Sequence, residues 1–219
     1  MKDGFSIEPA VVTDIGYLAL IINAGVSLMR CIHTLGEDSE SDQTRRMAIH
    51  VFDSLDKGNT LTRSLSGIPG QNDWKNPYLI ALTRAGEIGG VLDETLERAA
   101  VTLRGFCQLE KACLVAGVEE TVPMLHFRWF GQFRALVASR VPLLSTLGIL
   151  IDDPCLERLR LDTEKAKELA KNGDHFYAGL SSFPARFRLI LEIGEETGSL
   201  DSMTQKIADS LRAEVFEGI

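Results

Sequence analysis

The chain has 219 residues, 45% of them hydrophobic and 25% charged, the composition of an ordinary globular protein with enough apolar material for one larger core or two small ones. Its 31 Asp and Glu outweigh 23 Lys and Arg to give a net charge of −8, the wrong sign for a protein that works chiefly on nucleic acid or on an anionic membrane surface.

Taken in chain order, the elements read as helices. Ser6 is placed to N-cap a first helix with Pro9 in its opening turn, and Val12, Ile15, Leu18, Ala19 and Ile22 recur at the i, i+3, i+4 spacing of an amphipathic face. Gly25 stops it. Ser27 caps a short helix to Leu35, and a third runs from Asp42 to Leu55 and ends at Lys57-Gly58. Asn59 or Thr60 caps one further short turn. After a Pro- and Gly-rich stretch around 67–74, helices are predicted from Pro77 to Ile88 and from Leu92 to about Leu114. The second half repeats this order at 126–139, 142–151, 156–172, 175–181, 184–196 and 200–215, with Pro142 and Pro184 at starts. No alternating β-branched run predicts a strand, so the fold class is all-α, with roughly six helices per half.

The halves are related in sequence. A shift of 115 residues lays 18–28 over 133–143, with Val26/Val141 and Leu28/Leu143 identical, and pairs Gly58 with Gly173, Leu65 with Leu180 and Ser66 with Ser181. Beyond seven extra residues in the first copy the shift becomes 108. There Gly86-Glu87-Ile88-Gly89-Gly90-Val91-Leu92-Asp93 meets Gly194-Glu195-Glu196-Thr197-Gly198-Ser199-Leu200-Asp201. Three matching blocks in one order point to an internal duplication, with domains at about 1–118 and 119–219. Arg140 stands where the first copy has Gly25, which predicts a different turn in the second copy.

Leu-Ala-x-Leu-Ile-x-Ala-Gly-Val-x-Leu at 18–28, Gly-x-x-Leu at 58–61, the two Gly-Glu-x-x-Gly-x-Leu-Asp blocks and Phe183-Pro184 together resemble the F domain of type II secretion and type IV pilus inner-membrane platform proteins. The resemblance covers nearly the whole chain. It implies two tandem helical bundles that face the cytoplasm, are not enzymes, and contact an assembly ATPase or the platform itself. Platform proteins carry transmembrane helices after each F domain. Here the most apolar run, 141–151, ends at Asp152-Asp153, well short of the ~20 residues a span needs. Nor does a basic, then apolar, signal segment open the chain. The expectation is a cytoplasmic adaptor or regulator, peripheral to the inner membrane through its partners, with no nucleic-acid partner and no direct membrane insertion; homodimerisation is left open. A freestanding helical ligand-binding module and a piece of a membrane platform without its anchors are the alternatives.

The candidate partner-binding residues are Glu87, Asp93, Glu195, Glu196 and Asp201. A carboxylate in the last turn of a helix opposes the macrodipole, so something should compensate. Either each glutamate folds across its turn to accept amides at the start of the next helix, near Leu92 or Leu200, or the carboxylates meet a partner or a divalent cation. No Asp-x-Asp-x-Asp-Gly loop supports the cation. Gly25, Gly58, Gly86, Gly90, Gly173, Gly194 and Gly198 are the expected structural turns.

No catalytic residue, metal ligand or cofactor is assigned. Cys31, Cys107, Cys113 and Cys155 lack CxxC or CxH spacing. His33, His50, His126 and His175 are scattered, and neither a nucleophile elbow nor a Gly-Lys-Ser/Thr loop occurs. Phe127, Trp129, Phe130 and Phe133 read as the core face of one helix, with Arg128 and Arg134 as flanking solvated charge.

Overall fold

The computed structural model describes residues 7–217, which form α-helices and short 3₁₀ turns with no strand among them. In chain order the helices are α1 (Pro9–Asn23), α2 (Leu28–Asp38), α3 (Asp42–Asp56), α4 (Leu61–Ser66), α5 (Pro77–Gly89), α6 (Leu92–Ala116), α7 (Val122–Ala138), α8 (Leu143–Ile151), α9 (Arg160–Asn172), α10 (Ala185–Thr197) and α11 (Leu200–Glu217). The fold is all-α. Two compact units divide the chain, Ser6–Cys107 and Gln108–Ile219, so the division falls within α6.

The duplication is visible in the packing of each unit. In the first, α1 packs on α2, α2 on α3, α3 on α4 and α4 on α5, and α1 meets α6 where Gly16 lies beside Ala100 and Arg104. In the second, α7 packs on α8 and α11, α8 on α9, and α10 on α11. The place of α4 is taken by a 3₁₀ turn, Phe176–Gly179, packed on α9. It is held so close that a Cβ on Gly179 would lie 2.3 Å from the Ala166 backbone nitrogen.

Each core contains one tryptophan. The first buries Val11, Ile15, Leu18, Ile32, Leu35, Met47, Val51, Leu61 and Leu65. The extra residues of the first copy are not a loose loop: Asn72 caps a 3₁₀ turn, Asp73–Lys75, that inserts Trp74 into this core. The second core is aromatic, with Trp129 stacked on Phe133 at 4.8 Å and Phe130, Phe176, Phe183 and Phe187 around them. A buried indole N–H needs an acceptor, and each finds a threonine on the third helix of its unit. Trp74 Nε1 donates to Thr44 at 3.1 Å and Trp129 Nε1 to Thr163 at 3.0 Å.

Several boundaries differ from the sequence reading. Ser6 lies outside the described residues, and the N-cap position of α1 is Glu8, with Pro9 as the first helical residue. Helix α7 begins at Val122, four residues before the predicted start at 126, because Pro123 is tolerated in the first turn. The predicted 156–172 helix splits into a 3₁₀ turn, Pro154–Leu159, and α9, since Asp153 caps Pro154 with a bond from Cys155 N to its Oδ1 at 2.9 Å. Arg140 overturns the expectation of a different turn. It adopts φ 59° beside Gly25 at 80°, and Arg140 N→Val137 O and Val141 N→Leu136 O repeat the bonds Gly25 N→Ile22 O and Val26 N→Ile21 O. This is the same Schellman closure in both copies, with arginine bearing the left-handed strain in the second.

Candidate functional site

The two Gly-Glu blocks close the α5–α6 and α10–α11 hairpins. Gly90 and Gly198 terminate α5 and α10 in left-handed conformation at φ 69° and 67°, as Gly58 and Gly173 do after α3 and α9. Gly86 and Gly194 are not turn residues. Both lie inside helices and are buried, and they are small because another helix comes close. A Cβ on Gly86 would sit 2.2 Å from Thr95 Oγ1 and 2.7 Å from Leu92 Cα, and one on Gly194 would sit 3.1–3.2 Å from Leu200 and Met203 atoms.

Glu87 is compensated, but by a different helix from the one expected. Its carboxylate accepts from Leu61 N at 2.6 Å, Thr62 N at 3.0 Å and Thr62 Oγ1 at 2.5 Å, the first turn of α4 and not the start of α6 near Leu92. There it satisfies two amides that have no partner within the helix, and the ionised acceptor makes these bonds stronger than neutral ones. Thr60 Oγ1 takes a third amide, Arg63 N, at 3.2 Å. Sequence alone could not show this, because α4 is brought to Glu87 only by the packing of α4 on α5.

The second block keeps the placement and changes the chemistry. Glu195 reaches the corresponding turn and meets His175 Nδ1 at 3.4 Å, with His175 at the position of Thr60. It, too, does not bond the start of the following helix near Leu200. His175 packs against Tyr177 with ring centroids 5.3 Å apart. The Tyr177 hydroxyl is pushed above its ordinary pKa by burial, by a hydrogen bond with Glu192 and by the charges of Glu192, Glu196 and Glu195. Glu196 and Asp201 are exposed, and Asp201 accepts from the Ser202 amide at 2.7 Å. Asp93 is half-buried at the start of α6. The candidate carboxylates therefore form two equivalent groups, one on each hairpin.

Arg128 corrects the sequence reading. It is not solvated charge: only 6% exposed, it donates to Glu110 at 2.7 Å and to Glu120 at 2.8 Å. Burial works against its charged form, and the bond and charge of Glu110 with the charge of Glu120 more than offset this, so the guanidinium is held firmly cationic. Two further networks escaped the sequence. Asp14 accepts from Ser39 and Thr44 hydroxyls, each at 2.6 Å. Asp162 accepts from Ser182 N at 2.6 Å and Ser181 Oγ at 3.0 Å. Their only advance signal is an acidic residue on an otherwise apolar helix face. Among the described residues no group of three His, Cys, Asp or Glu is close enough to hold a metal ion, and no helix is long and apolar enough to cross a membrane.

The sequence profile described as "Type II secretion system (T2SS), protein F" matches residues 15–112 and 129–217, once over each copy of the hairpin arrangement. A stretch of 83 residues is 35% identical to the Type II secretion system protein F of Vibrio cholerae serotype O1; it covers 38% of this chain and 20% of that protein, so the similarity spans only a small part of the relative's length. The double match, over the same two all-α units that the packing repeats, establishes that this chain belongs to the type II secretion system protein F family.

Proposed function

We propose that the protein is a non-catalytic, cytoplasmic F-domain protein that binds the assembly machinery of a type II secretion system or type IV pilus, through its ATPase or platform, as an adaptor or regulator. The observation that carries this reading is the repeated family match over both units in a chain whose described helices include none long and apolar enough to span a bilayer. In the proposed binding mode the exposed carboxylates Glu196 and Asp201, flanked by half-buried Glu195, face a basic surface of the partner. Glu87 contributes through the shape of its hairpin, because its carboxylate is occupied by α4.

The test is direct binding of the full purified chain to the assembly ATPase of its own system, followed by titration calorimetry at two salt concentrations. The expected result is a salt-sensitive complex that a Glu196→Lys/Asp201→Lys double substitution weakens by about tenfold or more without loss of helical structure, as like charge facing like charge costs an interface several kcal/mol. Absence of binding to the ATPase and to the platform would remove the proposal.

A further inference from the structure

His126 is a polar ring set in the aromatic second core. It is 2% exposed on α7, its ring centroid is 4.5 Å from Phe183 and 6.3 Å from Phe187, and Nε2 has no hydrogen-bond partner among the described residues. At the equivalent position of the first copy stands Val11, fully buried in an aliphatic core. A neutral imidazole fits an aromatic cage as a small ring; an imidazolium there would be a buried charge with a free N–H.

We infer that His126 makes the second unit acid-labile: protonation of this buried imidazole opens the contact of α7 with Phe183 and Phe187, whereas the first unit, with Val11, has no such trigger. The charged groups bearing on His126 do not rescue the cation. Glu214 of α11 and Asp162 of α9 favour it from a distance, but Glu214 already pairs with Arg186 of α10 at 2.8 Å and Asp162 is held by Ser181 and Ser182. The residues flanking Phe187 on α10, Arg186 and Arg188, are both basic. Helix α8 carries no titratable residue, and Glu157 of the preceding turn pairs with Arg160 at 2.6 Å. On α7 itself Arg128 is positive and already committed to Glu110 and Glu120, and Arg134 is positive as well. Burial accordingly pushes the imidazole below its ordinary pKa, with Glu214 and Asp162 only partly opposing it.

The sign follows from linkage. The folded pKa lies below the unfolded value of ~6.5, so the unfolded chain binds the proton more readily. Stability is complete above that value and declines as pH falls below it. Between pH 7.5 and 5.5 the equilibrium constant for opening should rise by up to about tenfold.

The experiment is urea unfolding of the full chain carrying Trp74→Phe, so that fluorescence reports Trp129 alone, at pH 7.5 and pH 5.5, with and without His126→Val. The expected result is a lower Trp129 midpoint at pH 5.5 and loss of that difference in the His126→Val background. A midpoint that does not move, or a difference that persists without His126, overturns the inference. Should His126→Val fail to fold, an NMR titration of the His126 ring in the unsubstituted chain decides. An apparent pKa below that of a free imidazole supports the inference, and one at or above it overturns it.

Discussion

Two aligned positions show how the duplicated backbone is kept with different side chains or different contacts. Arg140 holds a left-handed conformation that costs a non-glycine residue about 1–2 kcal/mol, and the first copy places Gly25 there with the same two closing bonds. Arg140→Gly should therefore stabilise the second unit by about 1 kcal/mol, glycine's greater freedom in the unfolded chain offsetting part of the relief; chemical denaturation followed through Trp129 measures it. Glu87 and Glu195 align in sequence but not in worth. Glu87→Ala leaves three donors at the start of α4 without their acceptor and should cost about 1–2 kcal/mol, whereas Glu195→Ala loses one long contact to a mostly exposed histidine and should cost no more than about 0.5 kcal/mol. Equal losses in thermal or urea unfolding would show that the Glu87 bonds are not specific to the first copy.

At the scale of elements, the hairpins are set by close approach as much as by turn chemistry. Alanine ordinarily improves a helix over glycine by about 0.5–1 kcal/mol. Gly86→Ala should nonetheless destabilise, by about 1–3 kcal/mol, since its Cβ would be driven into Thr95 and the Leu92 backbone and α5 and α6 would have to separate. The contacts at Gly194 are wider, so Gly194→Ala should be close to neutral. Comparing the two melting temperatures checks this. The order of the helices was legible because apolar residues recur at 3.6-residue spacing and Pro and Gly mark the ends, but their number was not, since the helix predicted at 175–181 is only a 3₁₀ turn, Phe176–Gly179. The split of 156–172 was not, because a 3₁₀ turn and an α-helix share the same apolar spacing over one turn and only the Asp153 cap distinguishes them.

At the scale of the whole molecule, the response of the second unit to strong acid follows the Asp162 carboxylate. Burial raises the Asp162 pKa, but the hydroxyl and amide of Ser182, the Ser181 hydroxyl and the charge of Lys165 together outweigh it and leave the carboxyl below its ordinary value. The folded pKa is thus lower than the unfolded one, so the stabilisation is full above the ordinary carboxylate range and is lost as pH falls through the folded value. Asp162→Ala should cost the second unit about 1–3 kcal/mol at neutral pH and converge with the unsubstituted protein in strong acid. Circular dichroism at 222 nm across pH 7 to 2 provides the comparison, and a constant gap at all pH values would assign the loss to packing alone.

The family, the all-α class and the duplication are determined by the sequence, because helical periodicity and ordered Gly-Glu blocks are local patterns that persist in a linear string. So is the position of most left-handed stops, which glycine marks by its lack of a Cβ, with Arg140 the exception that only the structure shows. What only the tertiary structure decided is where the polar groups spend their bonds. Glu87 reaches α4 across 26 residues of chain, Trp129 reaches Thr163 across 34, and Arg128 is buried between Glu110 and Glu120 instead of standing in solvent. A charged side chain carries no mark of its partner when that partner is distant in sequence. Desolvation, which makes such pairing obligatory, exists only once the helices have packed.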